Sequence, residues 1–254
     1  MILAIDIGNT NIVIGCIKED RILFVERLCT DVKKSELEYA ISVKNVLEIY
    51  GVDRRELQGG IISSVVPPVT GTIRNAAAKV IGKDLLIVGP GVKTGLDIRI
   101  DNPAQLGPGL VVGAVAGIEE YGCPLVIIDM GTATAFTVVN EKSQVIGGMI
   151  LPGAGVALDA LISRTSQLPK ISLDPPRKLI GSNTVDCMKS GVLYGNASCI
   201  DGMIGRIREE LNTSLTVVAA GGMAKYIIPY CRERIHMDDA LLLKGLNLIY
   251  RRNL

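Results

Sequence analysis

LAIDIGNTNIVIGCI, which spans Leu3–Ile17, returns in the second half of the chain as VIIDMGTATAFTVVN, which spans Val126–Asn140. Both segments contain an apolar run, an aspartate, a glycine two positions later, small polar residues and a second apolar run. The two aspartates, Asp6 and Asp129, lie nearly half of the 254-residue chain apart. A repeat at this spacing indicates an internal duplication.

Each repeated segment predicts a β-hairpin, because an apolar strand ends at Asp-x-Gly, where glycine permits the turn, and a second strand returns. The predicted tip carries a carboxylate for Mg²⁺ and backbone N–H groups and hydroxyls for phosphate oxygens. One Asp-x-Gly turn alone is common in purely structural settings. Two copies at equivalent places predict paired domains whose hairpins face each other across a cleft that holds nucleotide phosphates and a metal ion.

Helices and strands alternate along the rest of the chain, which indicates the α/β class. Apolar periodicity and cap residues predict helices over 35–50, 69–81, 110–117, 156–166, 184–211 and 239–252, and strands over 60–66, 85–89, 145–151 and 215–220. No Ser/Gly-rich linker separates the halves. We place the domain boundary between residues 117 and 124, which gives an N-terminal domain over 1–118 and a C-terminal domain over 119–254.

Composition excludes several classes of partner. Lys and Arg number 27 and Asp and Glu number 26, so a formal charge of +1 predicts no strong attraction to nucleic acid or to an anionic membrane. No uninterrupted apolar stretch reaches ~18 residues, the length that a membrane span needs. The N-terminal apolar run contains Asp6 and lacks a basic leader, so we expect no signal peptide and a cytoplasmic protein.

The cysteines and the single histidine predict no zinc site. The six cysteines contain no CxxC pair and are expected to be small buried hydrophobes. His236 has no second histidine nearby, and we expect it in a solvated loop or at a helix end, without a catalytic role.

Longer strings of residues give a family resemblance. The chain resembles type III pantothenate kinases through DIGNTNIVIG at 6–15, ISSVVPP at 62–68, DNP at 101–103, DMGTATAF at 129–136, GGMILPG at 147–153, LPKISL at 168–173, NTVDCMKSGVLYG at 183–195, AAGGMA at 219–224 and LKGLNLIYRRN at 243–253. The resemblance implies duplicated ribonuclease-H-like (actin-like) domains of the acetate kinase, sugar kinase, Hsc70 and actin superfamily. Each domain would hold a mixed β-sheet flanked by helices, with a nucleotide cleft between the domains.

The implied reaction transfers the γ-phosphoryl group of ATP to pantothenate and forms 4′-phosphopantothenate for coenzyme A biosynthesis. By the same resemblance the phosphates would be cradled by Asp6, Ile7, Gly8, Asn9, Thr10, Asn11, Ile12 and Val13, with Mg²⁺ near Asp6. Asp129 would hold a monovalent cation, K⁺ or NH₄⁺, and Thr132 would contact ATP. Gly221 and Gly222 would lie where a side chain would obstruct the nucleotide.

Two roles are predicted for Thr184. The resemblance implies that its hydroxyl binds pantothenate across the interface of a homodimer. The residues alone indicate a helix N-cap, since Asn-Thr-Val-Asp begins a helical run. The two roles are compatible.

The segment that would bind the phosphoryl acceptor departs from the family's pattern. The family usually has Gly-x-Asp-Arg after Asn-Pro, with Asp as general base and Arg fixing the substrate, whereas this chain has Gly107-Pro108-Gly109-Leu110. Ile100 stands where the family usually has a tyrosine. By the same resemblance the substrate-binding positions would be Ile100, Gly107, Pro108, Gly109, Leu110 and Thr184, with Gly109 in place of the base.

Three functions remain open at this point. The first is a slow pantothenate kinase. A positioned base typically raises the rate ~10²- to 10⁴-fold, and a dissociative phosphoryl transfer depends little on a base. Leu110 closing the pocket would give a catalytically silent paralog that binds nucleotide, or only dimerises, and serves as a partner or regulatory protein. A pocket without arginine would suit a kinase for a less anionic acceptor. Asp101 could replace the base only if its loop folds back.

Overall fold

The computed structural model describes all 254 residues, which divide into two compact units. The first unit contains Met1–Glu120 and Ala240–Leu254, and the second contains Tyr121–Asp239. The predicted C-terminal domain, 119–254, included the last helix, which the structure places in the first unit. The reason is packing, because that helix contacts the first and fourth strands of the first unit.

The first unit is built on a five-stranded mixed sheet. Its strands are β1 (Ile2–Ile7), β2 (Asn11–Lys18), β3 (Arg21–Cys29), β4 (Gly59–Ser64) and β5 (Leu85–Ile87), in the order β3-β2-β1-β4-β5. β1 pairs antiparallel with β2 and parallel with β4. The short strand β6 (Asp97–Ile98) follows β5 in the chain.

Helices cover both faces of this sheet. They are α1 (Glu36–Ile49), α2 (Pro67–Ile81), α3 (Pro108–Tyr121) and, from the end of the chain, α7 (Leu241–Arg252). Leu3, Ile5 and Ile7 of β1 pack in a core with α1 and α2, and Ile2 and Ala4 pack on the other face with α3 and α7. Burial on both faces explains why β1 is an almost continuous apolar run.

The second unit repeats the same strand order. Its elements are β7 (Leu125–Met130), β8 (Ala133–Val139), β9 (Gln144–Pro152), α4 (Ala154–Ser163), α5 (Thr184–Leu211), β10 (Thr216–Ala220), α6 (Ala224–Ile227) and β11 (His236–Met237). The order β9-β8-β7-β10-β11, with β7 antiparallel to β8 and parallel to β10, matches the first unit strand for strand. The predicted fold class of two mixed sheets flanked by helices is confirmed.

Local sequence signals predict the start of some helices better than that of others. α1 begins at a capping box, in which the Ser35 side chain and Glu38 satisfy each other's backbone N–H groups. α3 begins at Pro108, two residues before the predicted start, because proline suits the first turn of a helix.

His236 is exposed, as expected, but it lies in the strand β11 and not in a loop or at a helix end.

The cysteine prediction was correct for Cys16 alone, which is buried. Cys29, Cys187 and Cys199 are exposed, and Cys123 and Cys231 are partly buried. None of the helices combines the length and apolar composition that a membrane span requires.

Candidate active site

The tip of the first hairpin is held by its own backbone and by the end of β3. The Gly8 N–H donates to the Asn11 carbonyl oxygen at 2.9 Å. Thr30 donates twice, from its hydroxyl to the Gly8 carbonyl oxygen at 2.6 Å and from its N–H to the Thr10 carbonyl oxygen at 3.0 Å. Asn9 and Thr10 are exposed at the tip. These three hydrogen bonds hold the backbone of the tip in place, with Asn9 and Thr10 at its outer edge.

Asp6 lies one residue before the end of β1 and is partly buried. Its register partners are Val13 on β2 and Ser63 on β4. Because side chains alternate along a strand, Asp6 shares the face of Ile2 and Ala4, which is covered by α3 and α7. This placement puts a carboxylate at the carboxyl end of the parallel β1–β4 pair, where α/β sheets bind ligands.

The second hairpin has the same plan with a shorter tip. Met130 pairs with Thr134, and the Gly131 N–H donates to the Ala133 carbonyl oxygen at 2.9 Å. The Gly153 N–H donates to the Thr132 carbonyl oxygen at 3.0 Å, and a Cβ at Gly153 would collide with the tip backbone. Glycine at 153 therefore lets the start of α4 approach the tip, whose Thr132 is exposed.

Asp129 occupies the position in β7 that Asp6 occupies in β1. Its register partners are Ala135 and Ala220, whose side chains offer no hydrogen bond. Burial raises the pKa of the Asp129 carboxyl to about 6, because the charged form loses hydration without gaining a partner. A bound cation would reverse this shift, and carboxylate oxygen is a suitable donor for a hard cation.

Two consecutive glycines follow β10 beside this hairpin and have different surroundings. Gly221 has a φ of +93°, and a Cβ there would lie 2.5 Å from the Met130 carbonyl oxygen. Gly222 is exposed, and a Cβ there would meet no protein atom within 4 Å. Gly221 is thus required by the fold, whereas the space beside Gly222 is open.

The altered acceptor segment forms the first turn of α3. The N–H groups of Leu110 and Val111 both donate to the Gly107 carbonyl oxygen, at 2.9 and 3.1 Å. A Cβ at Gly107 would lie 4.0 Å from Val65 Cγ1, just beyond β4, so this turn lies near the end of that strand. A Cβ at Gly109 would meet no atom within 4 Å. The turn has open space at position 109 and no acid or cation of its own.

The loop before α3 presents Ile100 partly buried and Asp101 exposed. Asn102 caps the 3-10 turn Pro103–Gln105 that follows, its side-chain oxygen accepting from the Ala104 N–H at 3.2 Å. This turn separates Asp101 from the first turn of α3 in the chain.

Thr184 is exposed at the first position of α5. The N-cap is Asn183, whose side-chain oxygen accepts from the Asp186 N–H at 2.9 Å. The predicted capping role of Thr184 is therefore wrong, because the residue before it supplies the cap. The Thr184 hydroxyl is left outside the cap.

The chain is similar to known proteins in sequence and in structure. The family model described as type III pantothenate kinase matches residues 2–206. The chain belongs to the type III pantothenate kinase family.

Curated type III pantothenate kinases match this family member from end to end. The protein from Halalkalibacterium halodurans is 41% identical over 253 residues, which cover 100% of both chains. The protein from Brevibacillus brevis is 43% identical over 256 residues, covering 100% of this chain and 99% of its own. Among solved structures, the (R)-2-hydroxyglutaryl-CoA dehydratase component A of Acidaminococcus fermentans has a TM-score of 0.58 at 15% identity, covering 98% of this chain and 96% of its own. That similarity shows the fold alone.

The predicted site residues of this pantothenate kinase family member are divided between the two units. The first unit contains the hairpin 6–13, Ile100 and the segment 107–110, and the second contains Asp129, Thr132, Gly221, Gly222 and Thr184. The side chains of Ile7 and Ile12 are fully buried in the core, so neither side chain can contact phosphate. Sequence reasoning missed Thr30 and Ser63, which become site candidates only through strand pairing.

Proposed function

We propose that this protein is a pantothenate kinase, which transfers the γ-phosphoryl group of ATP to pantothenate, with a divalent metal ion, and forms 4′-phosphopantothenate. The observation that carries the proposal is the 41% identity over the full length to a curated type III pantothenate kinase. The aspartate-bearing hairpin at the start of each sheet supports it, since phosphoryl transfer depends on positioning and charge neutralisation more than on covalent chemistry.

The first hairpin binds the phosphates in this proposal. The Gly8 N–H is bonded to Asn11, and beyond it the tip presents the exposed residues Asn9, Thr10 and Asn11 to the phosphates. Asp6 lies beside the divalent ion, which supplies neutralisation of the phosphate charge when it is bound. A single carboxylate fits Mg²⁺, which commonly takes one or two carboxylates and completes its shell with phosphate oxygens and water.

The second hairpin binds the nucleotide and a monovalent cation, K⁺ or NH₄⁺. Asp129 suits the cation because its buried carboxylate lacks an internal counter-charge. The exposed Thr132 contacts ATP, and the open space beside Gly222 admits it. Gly221 allows the chain to turn against Met130 and so shapes the same wall.

In this proposal the acceptor is bound by Ile100 and by the segment Gly107-Pro108-Gly109-Leu110, and Thr184 binds it across the interface of a homodimer. No side chain in the segment can accept the proton of the pantothenate hydroxyl. Transfer therefore relies on a positioned acceptor and on neutralised phosphate charge, and the proton leaves to solvent or to phosphate oxygen. A missing base costs typically ~10²- to 10⁴-fold in rate, so slow turnover is the expected outcome.

The proposal also includes assembly of the protein as a homodimer. The second unit exposes large apolar side chains at the end of β9, on α4 and before α5, among them Ile150 at 76%, Ile180 at 79% and Leu179 at 57% exposure. Such surfaces favour association with another protein surface. Thr184 follows this apolar segment in the chain, which fits a role at a subunit interface.

One observation favours a second candidate function. The first turn of α3 carries Leu110 and open space at Gly109 in place of an acid and a cation. A catalytically silent paralog that binds nucleotide or a partner, or a kinase for a less anionic acceptor, would also show this change.

The test is formation of 4′-phosphopantothenate from ATP and pantothenate in the presence of Mg²⁺ and K⁺, followed by mass spectrometry. Pantetheine, which replaces the carboxylate with a neutral amide, serves as the competing acceptor. Product from pantothenate supports the proposal. Product from pantetheine alone indicates the altered acceptor, and nucleotide binding without any product indicates the silent paralog.

A further inference from the structure

Ser63 on β4 carries a buried hydroxyl without a partner. The residue is 0% exposed, and its Oγ has no hydrogen bond in the protein. A buried polar group left unpaired is costly, and in most proteins such a group is satisfied by another group, a water or a ligand. The fold therefore tolerates an unfavourable group at a defined place.

That place is beside Asp6. Ser63 is the register partner of Asp6 in the parallel β1–β4 pair, and neighbouring strands lie ~4.8 Å apart. Register partners point to the same face of a sheet, so the hydroxyl and the carboxylate share the face covered by α3 and α7. Ile61, two residues before, packs in the cluster with Val112 of α3, and Val65, two residues after, adjoins Gly107.

The next residue, Ser64, gives an internal contrast. Its Oγ lies 2.7 Å from Thr70 Oγ1 and accepts from the Val66 N–H at 3.1 Å, so it supports the start of α2 on the opposite face. Of these two adjacent serines, Ser64 is hydrogen-bonded within the fold and Ser63 is not.

We propose that Ser63 is a positioning residue whose hydroxyl accepts a hydrogen bond from a water ligand of the divalent cation that accompanies ATP beside Asp6. Mg²⁺ usually keeps several of its waters, and those waters are strong donors. Groups that hold metal ligands in place typically change metal affinity by ~10- to 100-fold. The inference rests on the proposed function in so far as it requires a nucleotide and its cation at the first hairpin.

The test measures Mg²⁺-dependent binding of ADP by calorimetry, which requires no turnover. The variants are Ser63→Ala and, as the matched control, Ser64→Ala. We expect Ser63→Ala to raise the Mg²⁺ concentration for half-maximal ADP binding about 10-fold. The melting temperature of ligand-free Ser63→Ala should not fall, because the substitution removes an unpaired group. Ser64→Ala should lower the melting temperature and leave the Mg²⁺ requirement unchanged.

An unchanged Mg²⁺ requirement in Ser63→Ala would overturn the inference, as would a lowered melting temperature, which would mark a structural role. A raised KM for pantothenate without a change in the Mg²⁺ requirement would assign the hydroxyl to the acceptor and equally reject it. ADP binding to the unaltered protein without any Mg²⁺ dependence would also contradict it. Absence of 4′-phosphopantothenate from the unaltered protein would refute the proposed function alone, because the binding measurement is independent of it.

Discussion

The Thr30 hydroxyl at the end of β3 donates a 2.6 Å hydrogen bond to the carbonyl oxygen of Gly8 at the tip of the first hairpin. Thr30→Val keeps the shape of the side chain and removes the donor. We expect a loss of about 1 kcal/mol in unfolding free energy and a several-fold rise in the KM for ATP, because the Gly8 carbonyl loses its partner and the tip loosens.

The matched control is Thr213→Val, because Thr213 is also partly buried and its hydroxyl donates only to the carbonyl oxygen of its neighbour Ser214, at 3.3 Å. Denaturant melts and ATP titrations on both variants check the prediction. Equal KM values for ATP in the two variants would show that Thr30 does not support the phosphate site.

Gly221 and Gly222 should respond differently to alanine. Gly221→Ala places a side chain at a φ of +93° and 2.5 Å from the Met130 carbonyl oxygen, so we expect a stability loss of ~1–3 kcal/mol. Gly222→Ala meets no protein atom and should leave stability within about 0.5 kcal/mol while weakening ATP binding. Thermal unfolding and nucleotide titration separate the two effects. An unchanged ATP affinity in Gly222→Ala would place the nucleotide elsewhere.

Position 109 has room for the missing base. The double variant Gly109→Asp, Leu110→Arg should fold, and kcat for pantothenate should rise up to ~10²- to 10⁴-fold over the unaltered protein. Gly71→Asp, at an exposed and equally open glycine of α2, is the control for an added carboxylate. A double variant that binds ATP normally but shows no gain over this control would disprove the assignment of 107–110 to the acceptor site.

The cysteines provide a check on the fold at pH 8. Burial raises the pKa of Cys16 to about 11 and that of Cys231 to about 12, so at this pH their thiols remain protonated. Thiolates are the reactive form, and iodoacetamide should modify the exposed Cys29, Cys187 and Cys199 well before these two. Peptide mapping over time measures the order. Early labelling of Cys16 would contradict its place in the core.

The same shift at Cys16 gives a pH dependence of stability. The folded pKa of about 11 lies above the ordinary value of 9.0, so the unfolded chain releases the proton more readily. The stabilising contribution is complete below pH 9 and is lost as the pH rises from 9 towards 11. Denaturant unfolding of the unaltered protein and of Cys16→Ala over this interval should show a shallower decline in the variant. Equal declines in the unfolding free energy of the two proteins would show that the Cys16 thiol does not cause this pH dependence.

The duplicated fold could be predicted because the Asp-x-Gly segments repeat with their flanking apolar runs. α1 could be delimited because Ser35 and Glu38 form a local cap. The last helix was assigned to the wrong half because its apolar pattern does not say which sheet it covers. The roles of Thr30 and Ser63 depend on strand register, which joins residues far apart in the chain and has no local signal.

The most direct measurement of the central claim is the formation of 4′-phosphopantothenate by the unaltered protein with ATP, pantothenate, Mg²⁺ and K⁺. We predict slow but ATP-dependent product that disappears in Asp6→Asn. Nucleotide binding with no product from pantothenate would contradict the claim that this chain is a working pantothenate kinase.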